Sequence, residues 1–368
     1  MKLLHIADLH LGKRVMEYSM LEDARAAMTQ ILNIAVSEAV SGVLIAGDVY
    51  DRPVPPVEAV KLFSELLTSL SAHGIPAFII AGNHDSPERL GFCAELLEGS
   101  GVHVAPVCKG APTTVTLRED GMTVAVHMVS FFRPATLRPY VEEELEGVAD
   151  AMRAVLSRTD RSADKHILLA HAFVAGGVSS ESEVNPVGTV ELIPTEVFEG
   201  FDYVALGHLH GPQSVAPNVR YAGSPLKYSF SEVAHEKSVT VVEIHQESPV
   251  TVREIPIYPI HDMRELRGSF AALMAGDYSE DFIRAVVTDE EVSPDARIAL
   301  RTLYPNLMRF AVENSRVCAE ESVDPTESVD SRDPLSLFSE FYERQNGVAP
   351  DETRLAVMRE LLSGEVSE

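Results

Sequence analysis

No stretch of this 368-residue chain approaches the roughly 20 consecutive apolar residues that a membrane-spanning helix needs. The opening MKLLHIADLHLGK is broken by His5 and Asp8 before its apolar part reaches signal-peptide length. A cytoplasmic protein without membrane contact is therefore expected. Cysteine is scarce. Cys93, Cys108 and Cys318 are odd in number, far apart and form no C-x-x-C pair, so neither a disulfide framework nor a zinc knuckle is indicated. There is no G-x-x-x-x-G-K-[ST] phosphate loop, so any ATP would be bound by another subunit. There is no G-x-S-x-G nucleophile elbow and no internal repeat. Positive charge is short as well: 30 Lys and Arg stand against 56 Asp and Glu, a net charge of −26. Affinity for DNA normally rests on cations that neutralise phosphates. If DNA is the substrate, bound metals, local cations or a partner must supply the attraction.

What is present is ordinary for a globular protein: 45% hydrophobic and 23% charged residues, enough for one large domain and a smaller one. Short β-branched runs alternate with amphipathic stretches over residues 1–258. Strands are expected at Leu3–Ala7, Val43–Ala46, Ala77–Ala81, Thr123–Val129, His166–Ala170, Tyr203–Leu206 and Val239–Ile244. Helices are expected at Leu21–Ala39, Val57–Ala72 and Val141–Leu156. Continuous apolar runs such as VLIAG and ILLAH fit strands buried on both faces, and the whole reads as an α/β layered domain. Residues 259–319 read as a small second α/β domain with a strand in DFIRAVVTD and a helix in DARIALRTLY. Residues 320–368 start with an acidic linker, ESVDPTESVDSRD. Two amphipathic helices follow, the first capped at Asp333-Pro334 and carrying Leu337, Phe338, Phe341 and Tyr342. The second carries Leu355, Met358, Leu361 and Leu362.

Five patches put metal-ligand residue types at the C-terminal end of an apolar run. They hold Asp8 and His10; Asp48 and Asp51; Asn83, His84 and Asp85; His171; and His208 and His210. Ligands of open α/β sheets bind outside the carboxyl ends of strands, so five such loops converge. Imidazole with carboxylate and amide oxygen suits a pair of divalent transition ions, Mn²⁺ above all. Two ions about 4 Å apart need a bridging ligand, and the two oxygens of Asp48 make it the natural candidate. Gly47, Gly82 and Gly207 precede Asp48, Asn83 and His208, where a strand end must turn sharply.

The run D-x-H, G-D-x-x-D, G-N-H-D, H, G-H-x-H resembles the calcineurin-like metallophosphoesterase pattern. DLHLGK, GDVYDRPVPPVEAV, GNHDSPERL, ALGHLHGPQ and YAGSPLKYSFSE are similar to the SbcD-type nuclease subunits within it, and DEEVSPDARIALRTLYPNLMRF is similar to that family's capping domain. The resemblance implies two mixed sheets flanked by helices, a small α/β capping domain over 259–319 and a partner-binding helical tail. It implies one ion on Asp8, His10, Asp48 and His210, and another on Asp48, Asn83, His171 and His208. It leaves His84 facing the scissile phosphate as the catalytic group, with Asp51 and Asp85 orienting ligands. It implies a nuclease that opens phosphodiester bonds at double-strand ends and hairpins with a metal-activated water. It also implies a homodimer joined to an SbcC-type coiled-coil ATPase.

Several residues admit blander readings. Arg14, Arg52, Arg89, Arg133 and Lys227 flank the motifs and are candidate DNA contacts, though solvated surface charge is the simpler account. His5 and His127 lie inside strands and read as core or surface histidines. Tyr228 and Phe230 read equally as site wall or packing. Asp85 could instead cap the helix that starts at SPERLGF. A phosphatase or small-molecule phosphodiesterase on the same scaffold is the rival function, but that branch tends to show GNHE where this chain has GNHDS. A non-catalytic scaffold with a relic site is disfavoured because every proposed ligand is present.

Overall fold

The computed structural model describes residues 1–183, 192–313, 334–346 and 348–363. The 320–333 linker, with Asp333, lies outside them. The chain separates into two compact units, Met1–Met263 and Arg264–Glu368.

The first unit stacks two six-stranded mixed sheets. Sheet one runs in spatial order β14 (Thr251–Pro256), β13 (Ser238–Glu243), β1 (Lys2–Ile6), β4 (Gly42–Ile45), β5 (Ala77–Ile80) and β6 (Val102–Ala105). Sheet two runs β11 (Gln213–Ala216), β12 (Val219–Tyr221), β10 (Tyr203–Gly207), β9 (Lys165–His171), β8 (Met122–Val129) and β7 (Thr113–Glu119). The centre of each sheet is parallel: β1–β4–β5–β6 in one, β8–β9–β10–β12 in the other. Antiparallel strands close the edges at β14, β11 and β7, while the β6 edge is parallel. A short hairpin, β2 (Arg14–Val15) with β3 (Tyr18–Ser19), follows the first site loop. All seven strands expected from the apolar runs are present, within a residue at each end.

The period-two geometry of a strand explains how β9 serves two cores. Ile167 and Leu169 face Leu3, Leu44, Phe78, Val124 and Val126 between the sheets. Leu168 and Ala170 point the other way, against Met152, Val155 and Leu156 of the helix Val148–Leu156. That helix is shorter than the expected Val141–Leu156. Gly147 stands at its N-cap, and the acidic run before it cannot continue the helix without stacking like charges one turn apart. Glu143 instead pairs with Arg158 at 3.0 Å. The helices Leu21–Ser37 and Val57–Ala72 bury one stripe each, Ala24, Ala27, Met28, Ile31 and Ala35 on the first and Leu62, Phe63, Leu66 and Leu70 on the second.

Polar ties also join the sheets. His5 of β1 meets the Tyr203 hydroxyl at 3.0 Å and the Leu206 carbonyl at 3.1 Å. Arg220 of β12 donates to Thr240 of β13 at 3.2 Å and pairs with Glu254 of β14 at 2.6 Å. His5 is thus a core residue. The first unit extends past Tyr258 because the following residues are held to it: His261 donates its N–H to Asp23 at 2.7 Å, and Lys227 pairs with Asp262 at 2.9 Å.

The second unit holds a three-stranded sheet in the order β15 (Met263–Gly268), β16 (Phe282–Val287), β17 (Leu307–Val312). Its core joins Leu273, Ile283, Ala285, Val287, Leu300, Tyr304 and Leu307. The helices Pro334–Asn346 and Glu352–Ser363 belong to this unit. Phe341, Leu361 and Leu362 on them are exposed.

His5 carries a pH consequence. Burial and the nearby Arg220 hold it down at about 3, against its ordinary 6.5. The unfolded chain therefore takes up the proton first, and the stability His5 contributes above pH 6.5 is lost as the pH falls toward 3. His5→Gln should flatten the fall in unfolding free energy across that window, by an amount on the order of a few kcal/mol at its acid end. Denaturant titrations of parent and variant measure it. Curves that stay parallel would show that His5 titrates alike in both states.

Candidate metal centre

The site forms where the parallel strands of both sheets end on the same side. Past β1 the chain stays beside the segment after β4: Asp8, His10 and Leu11 donate backbone N–H to the carbonyls of Gly47, Asp48 and Val49 at 3.1, 3.0 and 2.9 Å. The crossing is tight. A Cβ on Gly207 would sit 1.9 Å from the Ala46 carbonyl oxygen, and one on Gly47, at φ +83°, would sit 2.5 Å from His171 Nδ1. Asp8, His10, Asp48 and His208 are not glycines yet hold φ of 53°, 42°, 47° and 114°. Side chains seldom adopt this backbone, and such strain concentrates at functional sites.

Asp8, His10, Asp48, His171 and His210 are all buried. The Asp8 carboxylate accepts the backbone N–H of His208 at 3.0 Å. Asp48 lies between two imidazole groups: its Oδ1 accepts the His84 N–H at 2.9 Å, and its Oδ2 is 3.5 Å from His171 Nε2 and 3.8 Å from His10 Nε2. Asn83 Oδ1 is 2.9 Å from His171 Nε2 and 3.1 Å from His208 Nδ1. His10 and His210 face each other Nε2 to Nε2 at 3.0 Å. Side-chain donors cluster closely as Asp8, His10 and His210, as Asp8, Asp48 and His171, and as His10, Asp51 and His84.

Burial raises Asp8 well out of the usual carboxylate range, with His171 opposing and Asp48 adding to the rise. Burial opposes the charge of Asp48 too, but His171, His10 and His84 hold it far below that range. Burial would lower His171, yet Asp48 and Asp8 lift it to about 9. Burial drives His10 well down and His208 to about 3, so both offer lone pairs. The donor set fits divalent cations. Two buried carboxylates need their charge offset, and in the metal-free chain protons held on His171 and Asp8 do so. The buried His10 Nδ1 has no hydrogen-bond partner among the described residues. His171 Nδ1 is 2.8 Å from the Ala46 carbonyl, to which it must donate, which leaves Nε2 turned toward Asn83.

A family model for calcineurin-like phosphoesterases matches residues 1–212. A second, described as the type 5 capsule protein repressor C-terminal domain, matches residues 259–346. The SbcD component of the SbcCD nuclease of Bacillus subtilis is 30% identical over 391 residues, 99% of this chain and 98% of that one. The chain belongs to the SbcD family of calcineurin-like phosphoesterases. The corresponding protein of Staphylococcus epidermidis is 28% identical over 375 residues, 99% of this chain and 98% of that protein. SbcD-family nucleases are metallophosphoesterase hydrolases, and this chain is one of them.

The residues around the ligands divide by what they touch. Asp85 accepts the backbone N–H groups of Val49, Tyr50 and Gly82 at 3.1, 2.9 and 3.0 Å, so it ties two site loops together. Burial and Asp48 raise it to about 6. The helix cap is Ser86, whose hydroxyl accepts the Arg89 N–H. Asp51 accepts Lys13 Nζ at 2.7 Å, and its carbonyl oxygen is 2.9 Å from His84 Nδ1. Tyr228 is packing beneath the ligands: its hydroxyl donates to the Leu9 carbonyl at 2.6 Å and its ring stands edge-on to His10 and His210. Of the five candidate DNA contacts, Arg133 borders the Asn83–His171–His208 side and exposed Arg52 lies 3.9 Å from Asp51. Arg14 donates to the Glu17 carbonyl, Lys227 is tied to Asp262, and Arg89 lines a separate apolar cavity with Phe63 and Leu67.

Sequence reading missed Glu232 and Lys237. Glu232 is fully buried; its Oε1 is 3.1 Å from His210 Nδ1 and its Oε2 accepts Lys237 Nζ at 2.6 Å. Burial opposes the Glu232 charge, but His210 and Lys237 keep it well below the usual range. Lys237 also donates to the His210 carbonyl at 2.9 Å, and Glu183 accepts the His210 N–H. A carboxylate behind a ligand histidine fixes its tautomer and raises its basicity. Glu232→Gln should weaken divalent-ion binding about 10–100-fold with the fold intact. Calorimetric titration of the metal-free chain measures this. Unchanged affinity would leave Glu232 as a packing group only.

Proposed function

We propose that this chain is the nuclease subunit of an SbcCD-type DNA repair complex, cytoplasmic, and that it hydrolyses phosphodiester bonds with two divalent ions, Mn²⁺ above all. The observation that carries the two-ion reading is Asp48, whose carboxylate stands between the His10 and His171 groups. Asp8, His10, Asp48 and His210 would hold one ion, and Asp48, Asn83, His171 and His208 the other. Mixed imidazole, carboxylate and amide donors favour Mn²⁺ over purely hard ions. When bound, such ions supply a water acidic enough to attack phosphorus at neutral pH.

The chain's own groups position that chemistry. His84 is partly exposed, at right angles to His10 with centroids 4.9 Å apart. Its Nδ1 donates to the Asp51 carbonyl, which turns Nε2 outward to hydrogen-bond a phosphoryl oxygen or protonate the leaving alkoxide. Asp85 and Asp51 keep the loops that carry Asp48 and His84 in register. Double-strand ends and hairpins are the substrates that the SbcD resemblance favours.

Two variants test this. Asp48→Ala should abolish Mn²⁺-dependent DNA cleavage and remove more than one bound ion per chain by elemental analysis. His84→Gln should keep metal content and DNA binding but lose at least about 100-fold in turnover. That loss should shrink on bis-p-nitrophenyl phosphate, whose leaving group needs no proton. Equal losses on both substrates would favour charge stabilisation over proton transfer. Loss of an ion would make His84 a ligand, in line with its closeness to His10 and Asp51. Cleavage of phosphoesters but never of DNA would favour the small-phosphodiester or phosphoprotein reading.

The two tail helices support a partner. Exposed Phe341, Val357, Leu361 and Leu362 would fit a helix-in-groove contact with an SbcC-type coiled-coil ATPase. Deleting residues 331–368 should leave phosphodiester cleavage intact and abolish co-purification with that ATPase. Retention at normal affinity would move the contact elsewhere. Co-purification of tagged with untagged chain tests the proposed homodimer.

A further inference from the structure

A cavity of about 290 Å³ opens directly beside the candidate metal centre and shares Asn83, His171 and His208 with it. The rest of its wall is almost wholly apolar. Phe131, Phe132 and Phe173 line it together with Val148 and Met152, which stand one turn apart on the helix Val148–Leu156. Exposed Arg133 lies at its rim. The metal centre uses none of these six side chains.

The aromatic walls are held firmly. The Phe131 ring is edge-on to His171 with centroids 6.3 Å apart, and the Phe173 ring is edge-on to His208 at 5.8 Å. Phe131 donates its backbone N–H to the Ala81 carbonyl at 2.9 Å, which pins it to the loop that carries Asn83. Phe173 is clamped on both sides by one hydroxyl: Tyr221 donates to the Ala172 carbonyl and accepts the Val174 N–H, each at 2.8 Å. Rigid walls of this kind suit recognition, because little freedom is lost on binding.

We infer that this cavity takes one nucleobase, that of the nucleotide adjoining the scissile phosphate, so that cleavage requires this base to be unpaired and turned out of the stack. The inference rests on the phosphodiesterase reading and names a substrate subsite for it. Because the cavity shares residues with the metal centre, its occupant must be joined to the phosphate held there by a short link. In a nucleic acid, the planar apolar group one sugar away is a base. Among the described residues no carboxylate lines the cavity, and aromatic walls bind any base by its π-face. Arg133 at the rim suits the next backbone phosphate.

The subsite bears on the charge problem. A chain of net charge −26 cannot gather DNA on bulk cations. Stacking gives affinity that needs no positive charge. It also sets the class of substrate: turning out a base is least costly where it is already unpaired, as at hairpin loops and frayed ends.

The test uses the full chain with Mn²⁺ and single strands carrying one uncleavable phosphorothioate-type linkage. One strand carries 2-aminopurine at the adjoining nucleotide, and another is abasic at that nucleotide alone. The abasic strand should bind at least about fivefold more weakly, and 2-aminopurine fluorescence should change as the base leaves its neighbours for the phenylalanines. Phe173→Leu, which keeps an apolar side chain and should retain its metal content, should bind both strands with similar affinity. Equal binding of the two strands by the parent chain would overturn the subsite, and would point instead to a cavity for a non-nucleotide group. Equal cleavage by the parent of cleavable strands with and without that base sinks the subsite alone; a parent that neither binds nor cleaves DNA sinks the nuclease reading beneath it.

Discussion

Everything at the site depends on how closely the two sheets approach at the carboxyl ends of their strands. Between the sheets, large side chains such as Leu44, Phe78 and Ile167 keep the layers apart. At the rim the spacer is glycine, and the backbones nearly touch: Gly207 lies against the Ala46 carbonyl. This closeness lets an imidazole from sheet two, His171, donate to a carbonyl of sheet one, and a carboxylate from sheet one, Asp8, accept an amide of sheet two. Candidate ligands from the ends of five strands of two sheets then share one small volume. A single methyl group at Gly207 would require the layers to part.

Electrostatics follows from that packing. Crowded and buried, the donors cannot all take their ordinary protonation states, and a cation-free chain draws protons to His171 and Asp8 in place of metal. Metal uptake and proton release are therefore linked in this protein. The candidate ligands are held from behind, His210 by Glu232 and His171 by the Ala46 carbonyl, and the Asp51 carbonyl holds His84 in the same way.

Much of this was legible in the sequence because central parallel strands are apolar on both faces and end where the chemistry begins. VLIAGD and ILLAH give both the strand and the ligand that follows it. Edge strands were not legible. β7, TTVTLRE, and β14, TVREIP, are largely exposed and carry no continuous apolar run, while β6, VHVA, is too short to carry a pattern. The acidic run before Val148 masked a glycine start. At the site, the ligand residues lay within repeated short motifs, but the Glu232–Lys237 pair did not announce itself. Charged residues mostly lie on surfaces, and nothing local in SFSEVAHEKS shows that these two are buried under a histidine.

The left-handed backbone at Asp8, His10, Asp48 and His208 has a further meaning for how such a chain can change. Each non-glycine residue in that conformation costs roughly 1 kcal/mol, a cost that folding alone gives no reason to keep. Glycine at any of these positions would relieve it and delete a donor in the same stroke. With these four as the proposed metal donors, stability and catalysis pull in opposite directions at four fixed points. A lineage released from the need for catalysis would drift toward glycine there first, and the resulting protein would fold better while binding nothing.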